Sequence, residues 1–176
     1  NRYGKISPTS AAHVFEELNG KVTTILDGGN TKVGIESTVI DISKKKTKIL
    51  RHGGISEESI NKLIKIHKKE INVILRSPGL SNSHYKPDKP IRIDAVRPRE
   101  GEAWLAFGKK PSYFDGVSFT LSKKKCLNES AKNLYKMLRL LDKKNVKSIA
   151  IQKIPEKGIG LAINDRLRRA AFIKDK

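Results

Sequence analysis

Residues 102–108, EAWLAFG, begin the stretch of sequence that decides the fold. This short apolar run is typical of a buried strand, and so are GVSFTLS at 116–122 and VKSIAIQ at 146–152. Apolar residues at helical spacing predict a helix over 128–143, and a shorter helix is predicted over 160–171. The resulting β-β-α-β-α order predicts a small layered α/β domain.

Upstream of this domain, residues 34–56 read GIESTVIDISKKKTKILRHGGIS. The segments 34–42 and 47–51 are predicted strands, since both are rich in apolar and β-branched residues. A polar, lysine-rich turn joins them, which is most simply an antiparallel hairpin. The sequence GISEESINKLIKIHKK predicts that a helix follows the hairpin, with Ser56 as its N-cap.

Patterns at the start and in the middle of the chain predict its division into parts. A helix is predicted over 9–20, capped by Ser7 or Thr9, and a short strand over 25–29 that ends in a glycine turn. Residues 77–99 hold four of the seven prolines and lose all periodicity, which predicts an extended linker. We therefore expect a first domain over 1–76, the linker, and a second domain over 100–176.

The composition is strongly basic, with a formal net charge of +19 over 176 residues. Such a charge attracts polyanions such as RNA, nucleotides or acidic lipid, although lysine runs are equally typical of solvated turns. Cys126 is the single cysteine, so no intramolecular disulfide can form, and a reducing cytoplasmic location is predicted. No apolar run approaches the roughly 18 residues that a membrane-spanning helix needs.

The sequence contains neither a GxxxxGK[ST] phosphate loop nor a GxGxxG dinucleotide turn. The four histidines and the cysteine lack metal-ligand spacing, so no metal site is predicted. Three features remain: Asn1 and Ser7 ahead of a helix, the polar group 36–38 within an apolar strand, and Arg51 at a strand end. A helix N-terminus and a guanidinium both suit phosphate. Taken alone, the first feature is better explained by ordinary capping and Arg51 by a surface salt bridge, whereas the polar group 36–38 could find its partners in a ligand or in the backbone.

Six segments taken together resemble the Sua5 branch of the YrdC/Sua5 family of L-threonylcarbamoyladenylate synthases. In chain order they are NRYGKISPTSAAHV, ILDGG, GIESTVID, ILRHGGIS, SPGLSNSHYKP and GIGLAINDRLRRAA. The resemblance covers nearly the whole chain. It implies the C-terminal part of a YrdC-like twisted α/β sheet domain, then a linker, then a small Rossmann-like α/β Sua5 domain.

The resemblance also implies a reaction in which ATP, L-threonine and bicarbonate give threonylcarbamoyl-AMP and pyrophosphate. The product serves the threonylcarbamoyladenosine modification at position 37 of tRNA, so tRNA or the transferase machinery is an expected partner. No protein nucleophile is expected, and Mg²⁺ is a candidate companion of ATP. The residues that the motifs assign to ATP are Asn1, Ser7, Arg51 and Tyr85, with His84 as a weaker candidate, and Ser37 is assigned to threonine.

Two departures from the family pattern shape the expectations. The sequence HGG at 52–54 stands where Pro-Gly is more usual after the arginine, which affects loop shape more than charge. The N-terminal half of the catalytic domain, with its Lys-x-Arg element, does not precede Asn1. We therefore expect a fragment that is inactive alone and whose first domain is poorly stable by itself. The alternative is a basic RNA-binding or interaction remnant without catalysis.

Overall fold

The computed structural model describes residues 1–43, 45–67 and 84–172. Within these ranges four helices and six strands follow one another along the chain. They are α1 (Ala11–Leu18), β1 (Val39–Asp41), β2 (Lys48–Arg51), α2 (Glu57–Asn61), β3 (Ile91–Ala95), β4 (Glu102–Ala106), β5 (Ser118–Thr120), α3 (Leu127–Asp142), β6 (Ser148–Gln152) and α4 (Gly160–Ala171).

The C-terminal part is built on a parallel four-stranded sheet with the strand order β3-β6-β4-β5. Strand β4 is buried along its whole length because both of its faces are covered. Ala103 and Leu105 pack with the apolar faces of α3 and α4 in the main core, whereas Trp104 and Ala106 join a smaller cluster. The predicted α/β class is confirmed, and the later strands and helices lie close to their predicted positions.

Strand β3 is the element of this sheet that the sequence analysis misses. It lies within 77–99, so the prediction of a linker without regular structure is wrong for Ile91–Ala95. Pro90 and Pro98 flank this strand, which pairs with β6 and lies at the edge of the sheet formed by the described strands. Proline is tolerated at edge strands, and there it imitates the composition of a linker. The division of the chain into domains stays a prediction, and 77–83 lie outside the described residues.

The predicted hairpin is confirmed, although both of its strands are shorter than expected. Strands β1 and β2 pair antiparallel, with Val39 opposite Arg51 and Asp41 opposite Lys48. An irregularity after Val39 shifts the register, so that Ile40 lies opposite Ile49. The hairpin therefore brings the start of β1 beside the end of β2.

Two local predictions for the segment before the hairpin are wrong. Helix α1 is capped by Ser10, whose side chain accepts from the His13 N–H, and not by Ser7 or Thr9. Residues 25–29 form no strand, but the glycine turn is present, because the Asp27 side chain accepts from the Gly29 N–H at 2.8 Å.

The helix after the hairpin is also much shorter than predicted. Ser56 caps α2 as expected, yet the helix ends at Asn61. The Asn61 side chain accepts from the Ile66 N–H at 2.8 Å, and the His67 N–H then donates to Thr47 at 2.9 Å. The chain thus turns back toward the hairpin where the pattern indicated more helix. Residues 68 and 69 of that prediction lie outside the described residues.

The N-terminal part packs on the C-terminal part through a few close contacts. Ile6 and Tyr85 belong to the main core, and Ile35 packs against it. Gly34, at φ +84°, lies so close to the backbone of Lys132 in α3 that no side chain would fit there. Several large apolar side chains of the N-terminal part are exposed, among them Tyr3, Leu26, Ile42 and Leu63. Across the described ranges, no helix has the length and apolar character to cross a membrane.

Candidate functional site

The side chains of Ser37 and Arg51 meet at the open end of the hairpin. Antiparallel pairing places the residues just before β1 against the end of β2. The Arg51 guanidinium donates from Nη2 and Nε to the Ser37 carbonyl at 3.2 and 3.3 Å, and Nη2 lies 3.4 Å from the Ser37 hydroxyl. A hydroxyl and a fixed positive charge therefore occupy one small surface, where they suit a polar, anionic ligand.

The backbone after β2 lies directly against the backbone before β1. A Cβ atom on Gly53 would overlap the Ser37 carbonyl carbon and the Thr38 nitrogen. The Gly54 N–H donates to the Glu36 carbonyl at 2.9 Å, and the Thr38 hydroxyl exchanges hydrogen bonds with the Ile55 backbone. These contacts explain the double glycine: it lets the two segments approach closely enough to hold the site together.

Glu36, the residue before Ser37, is a largely buried carboxylate held from three directions. It accepts from the Ser7 hydroxyl at 2.6 Å, from the Tyr135 hydroxyl at 2.9 and 3.0 Å, and from Arg166 Nε at 3.0 Å. Burial alone would raise the pKa of Glu36, but the Ser7 hydrogen bond and the Arg166 charge outweigh it and lower the pKa. The carboxylate is therefore ionised at neutral pH.

Arg166 of α4 is the buried partner of this carboxylate. Its side chain is 1% exposed, and its Nη1 donates to the His52 carbonyl at 2.6 Å and to Asp165 at 2.9 Å. Its guanidinium carbon lies 5.5 Å from the centre of the Tyr85 ring, a cation–π distance. Nη2 has no hydrogen-bond partner within the described part of the chain.

His84 and Tyr85 pack against the network formed by Glu36, Tyr135 and Arg166. Tyr85 is 2% exposed; its ring stacks on Tyr135 with the centroids 5.7 Å apart and meets the His84 ring at a tilt of 60° with the centroids 4.2 Å apart. Burial raises the pKa of Tyr85 and lowers that of His84. Tyr85, assigned to ATP by its motif, therefore lies in the core beside the carboxylate–guanidinium pair.

Asn1 lies at the surface, near the edge of this arrangement. Its side-chain amide donates to the Lys5 carbonyl at 2.9 Å. Two residues later, the Tyr3 ring meets His84 edge-on at 5.6 Å. Of the predicted site residues, Ser7, Ser37, Arg51 and Tyr85 thus gather around Glu36 and Arg166, whereas Asn1 is peripheral. The assignment of each residue to ATP or threonine stays a prediction.

Sequence reasoning missed the two residues through which the C-terminal part reaches this site. Tyr135 occupies the buried face of α3, where its spacing from Leu134 and Leu138 indicates only core packing. Arg166 lies in the quoted motif GIGLAINDRLRRAA, a signal that could have drawn attention to it. In the residues described, no group of three or more His, Cys, Asp or Glu side chains is placed to hold a metal ion.

Fold and site together define an α/β protein, in which helix α4 contacts a polar hairpin site through the ion pair of Arg166 with Glu36. Residues 55–172 match the family model described as threonylcarbamoyl-AMP synthase, C-terminal domain. Residues 1–53 match a second model, Sua5_yciO_yrdC, described as telomere recombination. The chain belongs to the Sua5 family of threonylcarbamoyl-AMP synthases.

Individual relatives agree with this membership. The chain is 37% identical to the threonylcarbamoyl-AMP synthase of Pyrococcus abyssi, over 97% of this chain and 56% of that protein. The corresponding figures for the Bacillus subtilis protein of the same name are 35%, 97% and 55%. The chain therefore spans about half the length of the curated relatives that it matches.

Two solved structures of the P. abyssi protein resemble this chain. The crystal structure of P. abyssi Sua5 complexed with L-threonine has a TM-score of 0.80 at 35% identity, covering 97% of this chain and 56% of that one. A variant of P. abyssi Sua5 with a histidine and the adjacent tyrosine replaced by alanine has a TM-score of 0.69 at 33% identity, covering 96% and 52%.

Proposed function

We propose that this chain is part of an enzyme that makes threonylcarbamoyl-AMP from ATP, L-threonine and bicarbonate for tRNA modification. The observation that carries the proposal is the contact of Arg51 with Ser37, directly beside the buried, ionised Glu36. It gives the hairpin a fixed cation and a hydroxyl where the family motifs expect nucleotide and amino acid. The P. abyssi relative in complex with L-threonine supports the amino-acid substrate.

The proposed chemistry needs alignment and charge neutralisation, not a protein nucleophile. The threonine amine forms a C–N bond with the carbon of bicarbonate while one C–O bond of bicarbonate breaks, and the departing oxygen takes the amine proton and leaves as water. An oxygen of the resulting carbamate attacks the α-phosphorus of ATP. The bond between the α-phosphorus and the bridging oxygen breaks, and pyrophosphate leaves with its electron pair. A cation and oriented dipoles accelerate such a step by holding two anions in line.

Each predicted site residue has one role in this scheme. Ser37 holds threonine, and Arg51 neutralises phosphate charge. The remaining ATP contacts are Asn1, Ser7 and Tyr85, and Mg²⁺ is a candidate companion of ATP to which no residue is assigned. The proposal includes inactivity of the 176-residue chain alone, because the chain spans only about half the length of the relatives that it matches. The predicted partners are tRNA or the transferase that receives the product, and the predicted location is the cytoplasm.

Pyrophosphate release tests the reaction. We expect release that requires both L-threonine and bicarbonate from a protein in which this chain is completed to the length of its relatives, called the extended chain below, and none from the 176 residues alone. Pyrophosphate release that does not require threonine or bicarbonate would contradict the proposed reaction. Threonine-dependent release by the 176 residues alone would contradict only the proposed fragment status.

Arg51→Ala tests the assignment of the nucleotide contact. Removal of one charge-assisted hydrogen-bond donor typically costs about 1.5–3 kcal/mol, so we expect kcat/KM for ATP to fall by at least roughly tenfold. Arg168→Ala removes the same charge from α4, where the side chain is exposed and pairs with Glu156, and should leave the kinetics unchanged. Equal kinetics of the two variants would remove Arg51 from the site.

A second candidate function, RNA binding without catalysis, is favoured by one observation. Lys109, Lys123, Lys124 and Lys125 line a cleft of about 470 Å³ at the carboxyl ends of β4 and β5. Under this alternative, RNA affinity falls steeply with salt because bound phosphates release counterions. Affinity for RNA with no turnover in the extended chain would favour it, whereas threonine-dependent pyrophosphate release would exclude it as the main function.

A further inference from the structure

Helix α4 contacts the hairpin site through the side chain of Arg166. Arg166 is 130 residues from Glu36 along the chain, yet their side chains form a hydrogen-bonded ion pair at 3.0 Å. Nothing in the proposed chemistry uses Arg166. Its burial, at 1% exposure, is costly for a guanidinium unless specific partners compensate for it.

The two hydrogen bonds that Arg166 makes to the hairpin fall beside the two proposed substrate contacts. Nε binds the carboxylate of Glu36, the residue before Ser37. Nη1 binds the carbonyl of His52, the residue after Arg51. One rigid, planar guanidinium thus spans the two segments from which the threonine and nucleotide contacts project.

Further contacts fix the orientation of this guanidinium. Asp165 accepts from Arg166 Nη1 at 2.9 Å and is itself held by Arg169 Nε at 3.0 Å. The Tyr85 ring covers the guanidinium on one side. Such an arrangement restricts the rotamer of Arg166, so that it transmits the position of α4 to the hairpin rather than following the motion of the hairpin.

We propose that Arg166 is a positioning residue that sets the placement of Ser37 relative to Arg51, and that the C-terminal domain supports substrate binding through it. This inference rests on the proposed function for its consequence in turnover, but not for its structural content. A lysine cannot replace this arginine, because one ammonium cannot present two donors in the planar fork that meets Glu36 and His52.

The alternative is that Arg166 only joins the two parts of the molecule. A second contact between the two parts, the ion pair at 2.7 Å of Lys143, just after α3, with Glu16 of α1, offers a comparison that does not touch the hairpin. Arg168, two residues beyond Arg166 on α4, is exposed and controls for the charge change. We therefore compare Arg166→Lys with Lys143→Ala and Arg168→Lys.

Steady-state kinetics on the extended chain form the first arm of the test. A misplacement of about 1 Å in a reacting group costs on the order of 100-fold in rate, so we expect kcat/KM for both threonine and ATP to fall by about tenfold or more in Arg166→Lys. Both control variants should stay within about twofold of the parent. If kcat/KM falls in all three variants, and falls most in the variant with the lowest melting temperature, the positioning role is overturned.

Hydrogen–deuterium exchange on the same proteins forms the second arm and needs no turnover. In Arg166→Lys we expect faster amide exchange at residues 36–38 and 51–54, with β4 unchanged and with no such increase in Arg168→Lys. Unchanged exchange at both segments would overturn the inference, even if the kinetics altered. If the parent releases no threonine-dependent pyrophosphate, the proposed function fails, while this arm still decides whether Arg166 positions the hairpin.

Discussion

At the scale of single residues, Glu36 determines the electrostatics of the site. Its carboxylate is the common acceptor for Ser7, Tyr135 and Arg166, which come from three distant parts of the sequence. An ionised group is buried here because hydrogen bonds and a countercharge replace the water it has lost. Burial next to this charge also raises the pKa of Tyr135 well above its usual value, so its hydroxyl remains a donor.

Glu36→Gln should therefore destabilise the protein while barely changing the volume of the side chain. Loss of one partner leaves the buried Arg166 with Asp165 as its remaining ion-pair partner, and breaking a buried pair typically costs about 3 kcal/mol. Urea denaturation measures the free energy of unfolding. Glu100→Gln, at an exposed loop position, serves as the control and should differ little from the parent. Equal stability of the two variants would contradict the buried ion pair.

The same variant isolates a pH dependence. The folded-state pKa of Glu36 lies below its unfolded value, so its stabilisation is fully present above the unfolded value near 4.5 and is lost as pH falls through the folded pKa. The stability difference between parent and Glu36→Gln should be constant near neutral pH and shrink below about pH 4.5. Other carboxylates titrate in both proteins, so they cancel from this difference. A difference that persists unchanged into acid would contradict the ionised carboxylate.

At the scale of elements, the reliability of the sequence patterns depends on how local their causes are. The hairpin and the strand β4 were predictable because their apolar runs and turns are encoded within a few residues. Strand β3 was not, since its flanking prolines hide an edge strand whose partner, β6, comes more than fifty residues later. Helix α2 ends early because the Asn61 side chain captures the Ile66 N–H, a competition that periodicity does not reveal.

The contacts of the site likewise differ in how far they could be predicted from local sequence. The approach of Ser37 to Arg51 follows from the pairing of the two strands, and the sequence predicted that pairing as a hairpin. Arg166 and Tyr135 join Glu36 only after α3 and α4 have packed, and no spacing rule connects residues about 100 or more positions apart. An arginine on a helix is normally expected at the protein surface. Arg166 is buried instead, because it pairs with the Glu36 carboxylate.

The double glycine turn provides a test of the hairpin as an element. In Gly53→Ala the new Cβ would overlap the backbone of Ser37, which cannot move without separating β2 from the segment before β1. Overpacking of this kind costs about 1–3 kcal/mol, so we expect a lower free energy of unfolding in urea and weaker threonine use. Gly28→Ala is the matched control, because open space surrounds that position. A fully stable Gly53→Ala protein would show that the two segments separate at little cost.

At the scale of the whole molecule, the two parts contribute unequally to the core. The main cluster consists mostly of residues from the parallel sheet, α3 and α4, with Ile6 as a contribution from before the hairpin. Apolar side chains such as Tyr3, Leu26 and Leu63 remain exposed in the N-terminal part. Buried arginines compensate: besides Arg166, Arg139 of α3 donates to the Ile6 carbonyl and pairs with Glu17.

This asymmetry predicts that the hairpin opens before the parallel sheet unfolds. In native-state hydrogen exchange, amides of β1 and β2 should exchange through a sub-global opening whose free energy lies below that of β4. Arg139→Ala removes a buried ion pair between the parts, so it should lower that opening free energy by up to about 3 kcal/mol and leave β4 nearly unchanged. Arg168→Ala, which breaks a surface ion pair with Glu156, should change neither. If β1 and β4 share one opening free energy in the parent and both fall together in Arg139→Ala, the molecule is a single cooperative unit, and the arginines stabilise all of it rather than docking one part on the other.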